Sequence, residues 1–163
     1  MVKVGIVGHR NLKAECISHY KQQVQKLLIL LKEKHQDVLL YSALAEGADR
    51  LAVEVGRGLM IDYIAVLPMK AESYRLDFTG DSASEFDSYL IDASTILEMQ
   101  WLSTSDRDIQ YEVAGRYIAD VCEVLIALWD GEQSYLRGGT SEIVNYFLQR
   151  KNATLHHLLV GRG

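Results

Sequence analysis

The chain has 163 residues, 48% of them hydrophobic, enough for one ordinary domain spanning 1–163 that builds its core without disulfides or metals. A net charge of −5 with interspersed signs leaves no basic stripe for long nucleic acid and no polybasic patch for a membrane, and the longest greasy stretch, LLILL, is far too short to span a bilayer. Cys16 and Cys122 lie far apart without CxxC or Cys/His spacing, so reduced thiols and a cytoplasmic protein are expected, the more so because the chain runs straight into VKVGIVG with no leader pattern.

Five short runs rich in Val, Ile and Leu follow one another: VKVGIVG at 2–8, DVLLYSA at 37–43, DYIAVLP at 62–68, TILEMQW at 95–101 and EVLIALW at 123–129. A sixth and weaker one is LHHLLVG at 155–161. Uniformly apolar runs suit strands covered on both faces. Between them lie helical patterns. Ile17, Tyr20, Val24, Leu27, Leu28 and Leu31 fall at three-and-four spacing in 14–34, and Ala48, Leu51, Ala52, Val55 and Leu59 repeat it. So do Ile109, Val113, Tyr117, Ile118 and Val121, and finally Ile143, Val144 and Phe147. The segment 69–83 is polar and reads as a long loop able to close over a site, with a helix only at EFDSYLI. The expected fold is therefore α/β: a Rossmann-like three-layer sandwich with a mostly parallel sheet of about six strands.

Ligands of such sheets bind outside the carboxyl ends of the strands. Two segments at that edge, AEGAD (Ala45, Glu46, Gly47, Ala48, Asp49) and RGGTS (with Gly138, Gly139, Thr140, Ser141), place glycine and small polar residues where a helix begins. Exposed amides and the positive end of a helix dipole there can hold a phosphate; the same glycines also serve plain strand-to-helix turns. Having both at one edge favours a nucleotide-like ligand. No GxxxxGK[ST] occurs, the first strand ends GIVGHR rather than GxGxxG, and the second ends Tyr41-Ser42 rather than in an acid, which argues against a hydride-transfer dehydrogenase.

Gly8, His9 and Arg10 follow the first strand, where an imidazole and a guanidinium can reach a phosphate or a base, or simply satisfy the loop. Arg107 opens the fourth helix, and Tyr111, off its apolar stripe, is free to stack on a base. Trp129 ends the fifth strand before Asp130 and Gly131; an indole there is more often core than platform. Ser42 and Pro68 end the second and third strands at the same edge. Asp49 and Arg50, at a helix start, complement the dipole and pair locally. His156 and His157 are adjacent in a strand, point to opposite faces and cannot share a metal; no metal site and no required cofactor is expected.

YSALAEGADRLAVEVG and VLIALWDG followed by GGTSEIV resemble the "SGxAxGID" and "GGxGT" segments of the SLOG superfamily, a Rossmann-like group. It contains the LOG phosphoribohydrolases, once mistaken for lysine decarboxylases, and the DNA-processing protein DprA. The similarity covers 2–150 and takes in GHR, YRLDF and RDIQYEVAGRYIAD. It implies a nucleotide or nucleotide-derived ligand whose phosphate rests around Gly47 and on Gly138, Gly139, Thr140 and Ser141, and pairing into a homodimer. LOG enzymes cleave the N-glycosidic bond of nucleoside 5′-monophosphates with a PGGxGTxxE glutamate and a helix arginine. Here Ile143 stands where that glutamate belongs, Glu142 is one place early, and Arg116 or Arg107 is the nearest arginine. One residue turns a helical side chain by about 100°.

Three readings follow: a nucleotide-binding domain without turnover, a LOG-like phosphoribohydrolase using Glu142 with Arg107 or Arg116, and DprA-like single-stranded DNA binding. Acidic composition and the lack of a basic, aromatic track argue against the third.

Overall fold

The computed structural model describes residues 1–99 and 106–163. Six parallel strands form one sheet in the order β4-β3-β2-β1-β5-β6. They are β1 (Val2–Gly8), β2 (Val38–Ser42), β3 (Asp62–Leu67), β4 (Thr95–Glu98), β5 (Val124–Trp129) and β6 (Thr154–Leu159). The helices are α1 (Ile17–His35), α2 (Ala48–Gly58), α3 (Ala71–Tyr74), α4 (Asp81–Asp92), α5 (Arg107–Val121) and α6 (Thr140–Leu148). This is the expected Rossmann-like three-layer α/β fold. The expected fourth strand reaches 101, and its part at 100–101 lies outside the described residues.

The period-two alternation of the strands divides the core into two layers. Val2, Val4 and Ile6 of β1, Tyr63, Ala65 and Leu67 of β3, and Val124, Ile126 and Leu128 of β5 pack with α1, α2 and α4. The intervening Val7, Tyr41, Val66, Leu125, Ala127 and Trp129 pack with α5 and α6. Gly5 belongs to this second face, where a Cβ would meet Ile118 Cγ2 at 2.5 Å, so α5 lies closer to β1 than any side chain there permits.

The chain passes from β1 outward through α1 to β2, β3 and β4, then returns through α5 to β5 on the other side of β1. The strand order therefore reverses between β1 and β5. The carboxyl ends of these two strands, paired as Gly8 with Leu128, diverge into separate loops and leave a crevice.

One segment differs from the sequence expectation. Residues 69–83 do not form an open loop: α3, a 3-10 turn at Arg75–Asp77, and α4 beginning at Asp81 occupy it. Tyr74, Phe78 and Phe86 are buried and cluster with ring centroids 5.0 to 5.4 Å apart. Burying each such ring contributes roughly 1.5–3 kcal/mol, enough to outweigh the polar character of their neighbours. Gly80, at φ +55, supplies the left-handed turn that lets α4 start four residues before EFDSYLI.

Candidate functional site

At the reversal point lies a cavity of about 410 Å³, within the range of small-molecule sites. Its floor is the end of β1 and β5 (Val7, Gly8, Trp129), one wall comes from the α2 entry (Ala45, Asp49), and the other from α5 and the entry to α6. Of the residues singled out in the sequence, Gly8, His9, Arg10, Ala45, Asp49, Pro68, Tyr111, Trp129, Gly138, Gly139, Thr140 and Ser141 line it. Both glycine-bearing turns thus open into one hollow.

The two turns present different chemistry. At the α2 entry Gly47 has φ +80, and a Cβ there would lie 2.3 Å from the Arg10 carbonyl oxygen. The glycine therefore lets two backbones touch, and it does not line the cavity. The Ala48 amide donates to His9 O at 3.0 Å, and the Ala45 amide donates to Asp49 Oδ2 at 3.1 Å. These two amides are taken by the chain's own acceptors, and the turn also presents the Asp49 carboxylate. Ser42 accepts the Leu44 amide at 3.0 Å and Glu46 accepts the Ser82 hydroxyl at 2.9 Å, so both support the turn from outside the cavity.

At the α6 entry Gly138 (φ +74) and the N-cap Gly139 shape the bend. The Gly138 amide donates to Glu142 Oε2 at 3.0 Å and the Gly139 amide to Leu136 O at 3.1 Å. The Thr140 and Ser141 amides of the first turn have no acceptor among the described residues and lie on the cavity wall. Here the helix dipole and free amides are available to an anion.

Arg10 supplies the facing cation. Its guanidinium lies over the Tyr111 ring, 4.9 Å from the centroid, and forms no ion pair with any described residue. Arg137 and Arg162 also line the cavity, but Arg137 pairs with Glu112, and Arg162 Nε lies 2.8 Å from Asp130 Oδ2. Tyr111 is not free to stack as the sequence suggested. One face carries Arg10 and its hydroxyl donates to Asp77, which also holds Arg107. Burial, then the Asp77 carboxylate, push its phenol above the usual range.

Asp49 is 6% exposed, and its Oδ1 has no hydrogen-bond partner among the described residues. Nor does it pair with Arg50, whose Nε donates to Leu44 O at 3.0 Å and whose Nη1 reaches Ser82 and Glu85. Burial pushes the Asp49 carboxyl up to about 7, against the Ala45 amide and the fields of Arg10 and Arg50.

His9 is held below its usual pKa by burial, with Arg162 adding to the effect although Asp130 opposes it. Its Nε2 lies 3.1 Å from the Asp130 amide and 3.2 Å from Asp130 Oδ1. One ring nitrogen cannot accept from the first and donate to the second, and the lowered pKa favours the neutral ring accepting the amide. His9 thus ties the β1 loop to the β5 loop. Trp129 is 6% exposed, donates Nε1–H to Glu132 O at 3.1 Å and packs on His157 at 5.0 Å, so it is a core residue at the cavity floor.

The three residues weighed for catalysis lie outside the cavity. Glu142 points back to Gly138 and lies 3.4 Å from Arg116, which also pairs with Glu112 at 3.1 Å and lies over Tyr146. Arg107 is bound to Asp77 at 2.6 Å and Ser73 O at 3.1 Å, joining α5 to α3. Asp130 and Gly131 do not line the cavity, and Asp130 is engaged by His9 and Arg162. Among the described residues no group of His, Cys, Asp or Glu could hold a metal ion, and no helix is long and apolar enough to cross a membrane.

A doubly wound parallel sheet with a cavity at its reversal point defines a Rossmann-like α/β protein. Among solved structures the chain is similar to DNA processing protein A (DprA) from Streptococcus pneumoniae, with 17% identity and a TM-score of 0.54 over 96% of this chain and 58% of that one. It is also similar to DNA processing protein A from Helicobacter pylori, whose structure concerns a single-stranded DNA binding mode, with 15% identity and a TM-score of 0.58 over 96% of this chain and 64% of that one. The chain thus spans under two thirds of either protein and has their fold, the one the SLOG resemblance implies. No protein-family model and no curated protein sequence matches it.

Proposed function

We propose that the chain binds a nucleotide or nucleotide-derived anion in the cavity between β1 and β5. The phosphate lies at the α6 entry on the Thr140 and Ser141 amides with Arg10 as counter-charge, and the rest of the ligand lies along the apolar wall of Val7, Ala114, Ile118 and Ile143. The observation that carries this reading is the convergence of free helix-start amides and an unpaired arginine on one cavity at the strand-order reversal. Binding without turnover is favoured over a LOG-like hydrolysis, because Glu142 and Arg116 are engaged with each other and with Gly138 outside the cavity. Native mass spectrometry of the purified protein and calorimetric titration with nucleoside 5′-monophosphates test the proposal. Retention or binding of a phosphorylated nucleoside supports it, and release of free base from AMP would move it to the hydrolase reading.

Single-stranded DNA is the second reading, favoured by the fold shared with the two DNA-processing proteins. A gel shift at low salt decides it, since backbone binding is strongest there.

A further inference from the structure

We propose that Asp49 reads the ribose hydroxyls of the bound ligand, so that the cavity takes a ribonucleotide and discriminates against its deoxy forms. This rests on the nucleotide reading above and adds the sugar to it. Asp49 sits on the α2 wall of the cavity whose opposite wall carries the α6 entry, so a ligand anchored by its phosphate at Thr140 and Ser141 can extend its sugar toward α2. Asp49 is 6% exposed and lines the cavity, with Oδ2 accepting the Ala45 amide and Oδ1 accepting no hydrogen bond from the described residues. In a residue this little exposed, a carboxylate oxygen gains most from a donor that reaches it through the cavity. Neither arginine beside it hydrogen-bonds it: Arg50 gives Nε to Leu44 O and Nη1 to Ser82 and Glu85, with its Nη2 left without a partner, and Arg10 stacks on Tyr111 without an ion pair to Asp49. The partner that fits is a neutral donor group, because a second anion beside Asp49 would be repelled. Vicinal hydroxyls provide two such donors, as they do for the acid that binds ribose in dinucleotide sites, although here the acid stands on the first turn of the helix rather than at the end of β2. Burial pushes the carboxyl up to about 7, and donors reaching its second oxygen would favour the charged form.

The test is calorimetry of the wild-type chain with the four ribonucleoside 5′-monophosphates and their 2′,3′-dideoxy counterparts, repeated with Asp49→Asn. Wild type is expected to bind at least one ribonucleotide about tenfold or more tightly than its dideoxy form, because a site built to hydrogen-bond a hydroxyl penalises the analogue lacking it. Asp49→Asn is expected to reduce that ratio to about threefold or less, since a neutral acceptor forms roughly half-strength bonds. Equal binding of the two forms by wild type overturns the inference and leaves the nucleotide reading standing. Full discrimination surviving in Asp49→Asn overturns it too, by assigning the hydroxyls to another residue. Binding of none of the eight probes overturns the nucleotide reading, and this inference with it.

Discussion

Replacing Asp49 by Asn makes the energetic cost of a buried acid measurable without any ligand. The unfolded chain releases this proton near the ordinary carboxyl value of 3.8, whereas the folded chain holds it to about 7. Between those values the folded state carries a proton that the unfolded state lacks, so stability falls as pH rises through the window. Below it both states are protonated, above it neither is, and the dependence vanishes at both ends. A shift of that size corresponds to about 4 kcal/mol at 1.36 kcal/mol per pH unit. Asparagine keeps the shape and can accept the Ala45 amide but cannot ionise. The variant should therefore match wild type at about pH 4 and exceed it by up to about 4 kcal/mol at about pH 8. Urea denaturation of both proteins across that range, with slopes compared to verify a common unfolded state, gives the difference directly. The fields of Arg10 and Arg50 favour the Asp49 carboxylate and are already contained in the value of about 7. A stability difference that stays constant with pH would refute the reasoning, because it would mean Asp49 is solvated or already paired.

Three other substitutions separate binding from architecture. Arg10→Ala should weaken nucleoside monophosphate binding by tenfold or more while moving the urea midpoint little, since Arg10 is exposed and makes no ion pair among described residues; titration calorimetry checks it, and undiminished affinity would remove Arg10 from the site. Gly47→Ala should destabilise by about 2 kcal/mol or more, because it combines a left-handed backbone with a Cβ 2.3 Å from the Arg10 carbonyl oxygen; a variant as stable as wild type would contradict that contact. Glu142→Ala should cost about 1 kcal/mol through loss of the acceptor for the Gly138 amide, with ligand affinity changed less than about threefold. Loss of a base-releasing activity on AMP in that variant would instead restore Glu142 to catalysis.

The layer architecture was legible because β1, β2, β3 and β5 are covered on both faces and so read as unbroken apolar runs, with three-and-four spacing between them. The α3–α4 region was not, because Tyr74, Phe78 and Phe86 are scattered among acids and serines and carry no period of their own. The edge rule brought Gly8, Arg10, Gly139 and Thr140 to one place, since every strand end in a parallel sheet faces the same way. What the residue string concealed is pairing. An aspartate at a helix start looks the same whether it is solvated against the dipole or buried with one oxygen unpaired, and Asp49 is the latter. Glu142 looked catalytic from its neighbourhood in the chain, yet the one-residue offset turns it to Gly138. Arg137, Arg162 and Asp108 also line the cavity and were missed, for they sit in no motif; a basic residue one place before the Gly-Gly pair was the available cue for Arg137.

The cavity draws its lining from stretches as far apart as Ile6 and Arg162, contributed by strands whose pairings are all long-range. Such a pocket cannot exist in a half-assembled molecule, because its two walls meet only after both wings of the sheet have closed on β1. Occupancy should therefore slow proteolytic cleavage throughout the chain rather than near the pocket alone, because a ligand held only by the assembled sheet disfavours its opening.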